Sequence, residues 1–422
     1  IMFGIATFGV FFILSRKRGG IVAAAVASII LLPLLAQRVE VRPEMFSYFF
    51  AGFFLLLLFQ YRNGERTFRS LAIWLSTLEI FWVNTHIFFF LGPILVGIFL
   101  FDAIIRKQKD IAKHLVLILV IISAVTFLNP FGWRGVIEPF LILQHYGYML
   151  VENQPIWFFH QRFGGTPAVF TFEILTALTA LSFIFRARYK TDSKYLIVDS
   201  LVVFLAIGMG VLQMRNFAIS GLLMISVLAT NLSPLWKRVR GLMDDDNSKF
   251  AATFFLAFLS FVIFSFSPDY SSAKGNFGLG LVEGNEGSAD FANKENIKGP
   301  IFNNYDIGSY LIFYLYPREK VFVDNRPEAY PDEFFKNVYI PMQENAEVWN
   351  AQMEKYKFNS VIFSHKDMTP WGQAFLVRMI DNPLWAPVFV DQYAIIFLRR
   401  VPQNADIISR YEVPRNMFSV SK

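Results

Sequence analysis

Ten apolar segments, at 1–14, 21–36, 45–60, 71–82, 87–105, 115–128, 168–185, 196–212, 217–232 and 250–266, fill most of the first 266 residues, with one long loop at 129–167 and shorter polar breaks elsewhere. A helix rises about 1.5 Å per residue, so a hydrocarbon core about 30 Å thick takes roughly 20 largely apolar residues to cross. The pattern therefore predicts a polytopic α-helical membrane domain of about ten spans, over 1–267. Its first segment is too short to cross, and it begins apolar, with no basic leader or cleavage site, so it reads as the remainder of a span that starts upstream. Composition agrees: 55% of the 422 residues are hydrophobic, 49 are Phe, and the mean hydropathy is +0.42, well above what an ordinary soluble core requires. There is no Cys, which excludes disulfides and thiolate metal sites and leaves metal ligation to Asp, Glu and His.

Loop charge orders the spans. Arg16/Lys17/Arg18, Arg62/Arg66/Arg69, Arg106/Lys107/Lys109/Lys113, Arg186/Arg188/Lys190/Lys194 and Lys237/Arg238/Arg240/Lys249 fall on alternate breaks, which the positive-inside rule assigns to the cytoplasm. The intervening breaks carry only Arg38, Arg42, Arg134, Arg162 and Arg215. Everything beyond Ser267 then lies outside the cytoplasm, together with the turn Trp82-Val83-Asn84-Thr85-His86. The chain is then multi-pass with its C-terminal domain outside the cytoplasm, which in a bacterium means the inner (plasma) membrane and a periplasmic or extracellular domain.

The C-terminal part has a different character. Residues 268–422 hold 16 basic against 19 acidic side chains, whereas 1–267 hold 23 against 14, so the overall charge of +6 records membrane topology and not a nucleic-acid footprint. Residues 268–299, rich in Gly, Ser and Asn, read as a linker with a strand at 278–282. Residues 300–422 read as an extracytoplasmic α/β domain: strands at 300–303, 320–324, 360–364, 385–390 and 394–399, helices at 307–315, 344–356 and 370–381. That alternation predicts a small helix-covered sheet, parallel at first and closed by an antiparallel hairpin.

Polar residues beyond the needs of a turn crowd the outward loops. They are Arg38 to Glu44, the Trp82 to His86 turn, Asn129-Pro130-Phe131-Gly132-Trp133-Arg134, Glu152-Asn153-Gln154-Pro155 and Gln213-Met214-Arg215-Asn216. Taken singly, such residues cap helix ends, pair with headgroups or anchor the interface, as Trp82 and Trp133 would. As a set they outline one extracytoplasmic pocket. At helical spacing Glu79 and His86 share a face, which directs an ionisable group at the edge of the hydrocarbon toward the polar turn. Asp102 and Asp199 read as solvated or paired end residues, and Glu173 as a further outward acid. In the C-terminal domain, Asp306 is placed to cap a helix and Asp324-Asn325-Arg326 to end a buried strand, where a crevice opens in open α/β sheets. Asp324 and Arg326 read equally well as a pair bridging each other. No phosphate loop, GxSxG elbow or HExxH motif occurs, and no two His have metal-site spacing.

The runs Arg42-Pro43-Glu44-Met45-Phe46-Ser47-Tyr48, Trp82-Val83-Asn84-Thr85-His86, Asn129-Pro130-Phe131-Gly132, Glu152-Asn153-Gln154-Pro155 and Asp324-Asn325-Arg326 together resemble a family of bacterial polytopic proteins similar to the C-superfamily (GT-C) glycosyltransferases, and the resemblance covers nearly the whole chain. It implies transfer of a sugar from a polyprenyl-phosphate donor to an envelope glycan, lipid or protein acceptor outside the cytoplasm. It also implies an acidic general base, sometimes with a divalent metal ion, in the first outward loop, which would precede Ile1. On that reading Glu79 and His86 assist proton transfer. Arg38, Arg42 and Arg215 face the lipid phosphate, and Glu40, Asn84, Asn129, Arg134, Glu152, Asn153, Trp157, Asp324 and Arg326 contact sugar or acceptor. The alternatives are a transporter, which favours midplane charges and repeated halves, and a non-catalytic membrane scaffold whose outer domain binds a partner.

Overall fold

The computed structural model describes residues 2–37, 42–141, 148, 150–189, 194–240, 286–367 and 369–418. The chain divides into two compact units, Ile1–Leu141 with Glu152–Gly275, and Ile142–Val151 with Asn276–Lys422.

The first unit is helical. Nine of the ten expected segments coincide with helices: α1 (Met2–Gly19), α2 (Ile21–Leu35), α3 (Glu44–Arg62), α4 (Phe68–Val83), α5 (Leu91–Ile105), which continues a 3-10 turn Ile87–Phe90, α6 (Lys109–Val125), and then, after the short α7 (Trp133–Leu141) and α8 (Ile156–Phe163), α9 (Pro167–Arg188), α10 (Leu196–Leu212) and α11 (Phe217–Arg240). The tenth segment, 250–266, and the strand expected at 278–282 lie outside the described residues. Four of the helical stretches, Glu44–Arg62, Ile87–Ile105, Pro167–Arg188 and Met214–Leu235, are long and apolar enough to cross a membrane.

Local chemistry sets the ends of these helices. Thr67 and Thr166 accept hydrogen bonds from the backbone N–H groups of Ser70 and Val169, closing the starts of α4 and α9, and Pro167 occupies a position where no N–H is needed. Gly20 breaks α1 from α2 at φ +88, a left-handed conformation that side chains disfavour. Its neighbour Gly19 lies so close to α11 that an added Cβ would fall 2.5 Å from the Ala229 carbonyl oxygen.

One end of the bundle gathers buried charge. Asp199 accepts from Arg18 Nη2 at 2.7 and 2.8 Å and from Arg186 Nη1 at 2.5 Å, while Asp102 accepts from Arg62 at 2.6 Å and from Arg106 at 2.7 Å. The two aspartates read as solvated or paired are thus paired and fully buried. Lys17 pairs with Glu65 at 2.7 Å at the same end. Four of the five basic breaks that the charge alternation groups together, those at 16–18, 62–69, 106–113 and 186–194, are therefore grouped in space.

The second unit is built on a four-stranded sheet, β1 (Ile301–Asn303), β2 (Ser360–Ser364), β3 (Trp385–Val390) and β4 (Ala394–Arg399), in the order β1-β2-β4-β3. β1 and β2 are parallel and the other pairs antiparallel, the arrangement expected from the strand and helix alternation. Side chains alternate across it. Phe302, Val361, Phe363, Ile395 and Phe397 enter one core, Ile301, Ile362, Ile396 and Leu398 the other, so both faces are covered.

Two expectations are corrected here. Residues 320–324 form no strand, because the Asn303 side chain takes the place of a ladder: its Oδ1 accepts from Phe322 N at 2.9 Å and its Nδ2 donates to the Val323 carbonyl at 2.7 Å. Asp306 does not cap the helix Gly308–Leu315. Asn325 does so from across the loop, accepting from Ser309 N at 3.1 Å. In addition, part of the 268–299 stretch read as linker is a helix, Gly287–Lys294.

The 142–151 segment belongs to the second unit. Its Tyr148 is 3% exposed and stacks on Tyr305 at a centroid distance of 4.2 Å, with Phe335 at 5.3 Å and Trp371 at 5.8 Å. A buried aromatic ring carries about 3 to 5 kcal/mol against truncation. Tyr148→Ala is therefore expected to lower the stability of the second unit by about 3 kcal/mol and Tyr148→Phe by less than about 1 kcal/mol, read by hydrogen exchange of the β1 and β2 amides in the full-length protein under rising denaturant. Equal protection in Tyr148→Ala and wild type would refute this.

Candidate functional site

Four of the outward loops converge at the end of the first unit opposite the buried aspartates. α3 begins there with Glu44, and Ser47 follows one turn later on the same face. α4 ends there with Trp82, the turn supplies His86, and the 3-10 turn Met214–Asn216 supplies Arg215. The 152–154 stretch is held beside that turn by a backbone bond from Met214 N to the Gln154 carbonyl at 3.1 Å.

The side chains form a linked series. Trp82 Nε1 donates to Ser47 Oγ at 2.7 Å, and Ser47 Oγ lies 2.8 Å from His86 Nδ1. Phe88 N also donates to His86 Nδ1 at 3.4 Å, which fixes Nδ1 as an acceptor and puts the proton of the neutral imidazole on Nε2. Nε2 faces Glu44 Oε2 at 4.0 Å. The same carboxylate oxygen is 3.5 Å from Arg215 Nη2, and Arg215 Nη1 donates to Asn153 Oδ1 at 3.0 Å. Arg42 pairs with Glu152 at 2.8 Å alongside. Glu44, His86 and Arg215 are all largely shielded, with side-chain exposures of 9%, 9% and 18%. A carboxylate, an imidazole and a guanidinium in mutual reach can together hold an anion, accept a proton and orient hydroxyls.

Of the site residues expected from sequence, His86, Arg42, Glu152, Asn153 and Arg215 come together here. Glu79 does not join them. It sits a turn deeper on α4, fully buried, with neither carboxylate oxygen hydrogen-bonded among the described residues. Gly92 makes its space, since a Cβ there would fall 2.2 Å from Glu79 Oε2. Asn84 is a tether, its amide donating to the carbonyls of Ile80 at 2.8 Å and Leu128 at 2.9 Å. Asn129 folds its own loop, donating to Thr126 and Gly132 carbonyls and accepting from Phe131 N. Arg134 lies 5.8 Å from the Trp133 ring centroid on the surface, Trp157 is 49% exposed, and the outward acid Glu173 pairs with His160 at 2.7 Å. Arg38 and Glu40 lie outside the described residues.

Asp324 and Arg326 belong to the second unit and bridge each other, Arg326 Nη2 to Asp324 Oδ2 at 2.6 Å. That bond, more than any other influence, holds the Asp324 carboxyl below its ordinary range. Sequence reading left Glu44 and Ser47 off the list of site residues. Their signal was an acid at the first turn of a long apolar helix, with a hydroxyl one turn on.

Among the described residues no three His, Asp or Glu side chains are placed to hold a metal ion. Glu44 and His86 are two donors among the described residues, and the Arg215 guanidinium beside the same carboxylate oxygen does not suit a divalent cation. Compared with known proteins, the chain matches no family model and no curated protein.

Burial pushes the His86 imidazole down to about 4, with Arg215 adding to the effect and Glu44 opposing it. A histidine whose folded pKa lies below its unfolded value is neutral when folded, and the unfolded chain binds the extra proton between the two values. Stability is therefore unaffected above about pH 6.5 and falls as pH drops toward 4, by up to about 3 kcal/mol. Thermal unfolding of detergent-solubilised wild type and His86→Gln between pH 4 and 7.5 checks this: the wild-type midpoint falls across that window and the variant's profile is flatter. Parallel profiles would contradict it.

Proposed function

We propose that the chain is a GT-C-type membrane glycosyltransferase, moving a sugar from a polyprenyl-phosphate donor to an envelope glycan, lipid or protein acceptor on the extracytoplasmic face. The observation that carries this reading is the grouping of Arg215, Glu44 and His86 at the end of the bundle away from the basic breaks. That end is the outward one by the positive-inside rule, and a lipid phosphate sits at that depth.

In the reaction the acceptor hydroxyl attacks the anomeric carbon, a carbon–oxygen bond forms, and the bond from that carbon to the phosphate oxygen breaks with its electron pair leaving on the phosphate. Arg215, with Arg42 at the rim, stabilises the charge that grows on the departing phosphate, as fixed donors aimed at developing charge do. The Glu44 carboxylate takes the hydroxyl proton, and His86 Nε2–H, 4.0 Å away, steadies that carboxylate. Asn153 holds the guanidinium in place. No step here is routed through a metal ion, since among the described residues the Glu44, His86 and Arg215 set does not fit one.

Glu79 favours a second reading. An ionisable side chain buried in an apolar helix with no hydrogen-bond partner is the usual mark of an ion or proton pathway, and a transporter would use it where a glycosyltransferase need not.

Transfer from radiolabelled polyprenyl-phosphate sugars into extractable glycan, measured on full-length protein in membranes, separates the two. Arg215→Ala and Glu44→Gln are expected to reduce transfer by roughly 100-fold or more at normal protein levels, with Arg215→Lys intermediate and Glu79→Gln near wild type. Absence of transfer from a broad donor panel, or loss in Glu79→Gln alone, would move the assignment to transport. A reporter fused after Lys422 is expected to be active only outside the cytoplasm, and activity inside would invert the topology on which the reading rests.

A further inference from the structure

The second unit carries a cavity of about 400 Å³ at one end of its sheet, lined by Pro300, Lys357, Asn359, Arg399, Pro402 and Gln403 among others. Lys357 is the left-handed residue, φ 53, that ends the helix Ala346–Tyr356, and Arg399 closes β4. Neither has a carboxylate partner among the described residues. No acid lines the cavity, although residues 268–422 hold more acidic than basic side chains. Glu319, which adjoins the rim, is already engaged: it accepts from Gly299 N at 2.8 Å and lies 3.6 Å from Lys298. The next arginine, Arg400, is paired with Glu412. Two unmatched cations thus share one concave site on an otherwise acidic unit.

The rim is preorganised by amides. Asn359 Nδ2 donates to the Lys298 carbonyl at 2.7 Å, and Asn359 Oδ1 accepts from Asn404 Nδ2 at 2.9 Å and Gln403 Nε2 at 2.5 Å. Pro300, Pro402 and Val401 supply apolar surface between the polar groups. A guanidinium fork takes an oxyanion bidentately, an ammonium adds a point charge, and carboxamides beside flat apolar surface suit ring hydroxyls and their C–H faces.

We propose that this cavity binds an anionic saccharide, a sugar ring bearing a phosphate or carboxylate, with Arg399 and Lys357 on the anion and Gln403 at the ring hydroxyls. The volume accommodates one or two rings, within the usual span of small-molecule sites. The inference stands apart from the transfer reading of the first unit and holds whether or not that unit transfers sugar.

The test is calorimetric titration of the full-length protein in detergent with glucose 6-phosphate, glucuronate, glucose and inorganic phosphate, with hydrogen exchange to locate the bound probe. Both anionic sugars are expected to bind more tightly than glucose or phosphate and to protect the amides around 357–359 and 399–403. Arg399→Gln and Lys357→Gln should each weaken that binding about ten-fold or more while unfolding at the wild-type temperature. Phosphate binding as tightly as glucose 6-phosphate would show an adventitious anion only. Equal binding of glucose, unchanged affinity in both charge variants, protection elsewhere, or no binding of either anionic sugar at about 10 mM would each overturn the proposal.

Discussion

The helical unit is pinned by two aspartates that live where no unpaired charge can. Asp199 joins Arg18 at the end of α1 to Arg186 at the end of α9, and Asp102 joins Arg62 at the end of α3 to Arg106. Apolar helix faces attract one another in many registers, but a buried carboxylate and a buried guanidinium tolerate only the one in which they meet. Breaking such a pair leaves a stranded charge and costs about 3 to 5 kcal/mol. These pairs fix one end of α3 and α10, and the opposite end of the bundle carries Glu44 of α3, Trp82 of α4, Gln213 after α10 and Phe217 of α11. The polar cluster around Glu44 and His86 lies at that opposite end.

That cluster differs in kind from the ion pairs beneath it. Asp199 and Asp102 each meet two arginines, while the Glu44 carboxylate lies 3.5 Å from one guanidinium and 4.0 Å from a neutral imidazole. The Trp82–Ser47–His86 series fixes the imidazole's tautomer and leaves Nε2 turned toward the carboxylate. A carboxylate, an imidazole and a guanidinium held this close on a rigid support is the arrangement expected of a binding or catalytic site.

Much of this was legible in the sequence, because it rests on period and charge. Segment length located nine helices, and the alternation of basic breaks grouped the ends that the buried aspartates join. Strand alternation gave the parallel pair and closing hairpin of the second unit. What escaped was the work of individual side chains. A periodic pattern shows that 320–324 is apolar, but not that the Asn303 amide replaces its ladder. Nor does helical spacing alone separate Glu79 from His86: both lie on one face of a continued helix, yet the chain turns after Val83 and leaves Glu79 a turn deeper. Asn84 and Asn129 read as ligand groups because an amide that folds a loop and one that binds a sugar look alike in sequence. The insertion of Tyr148 into an aromatic core far along the chain had no local signal.

The proposed transfer requires a polyprenyl phosphate bound beside Arg215 and Glu44. Photocrosslinking of the full-length protein in bilayers with a polyprenyl phosphate bearing a diazirine near its phosphate, followed by mapping of labelled peptides, tests it most directly. Label concentrated in 42–48, 82–88 and 213–217, and competed by unmodified polyprenyl phosphate, is the predicted result. Label spread evenly over the lipid-facing helices, or concentrated around Arg62 and Arg186 at the opposite end, would contradict it.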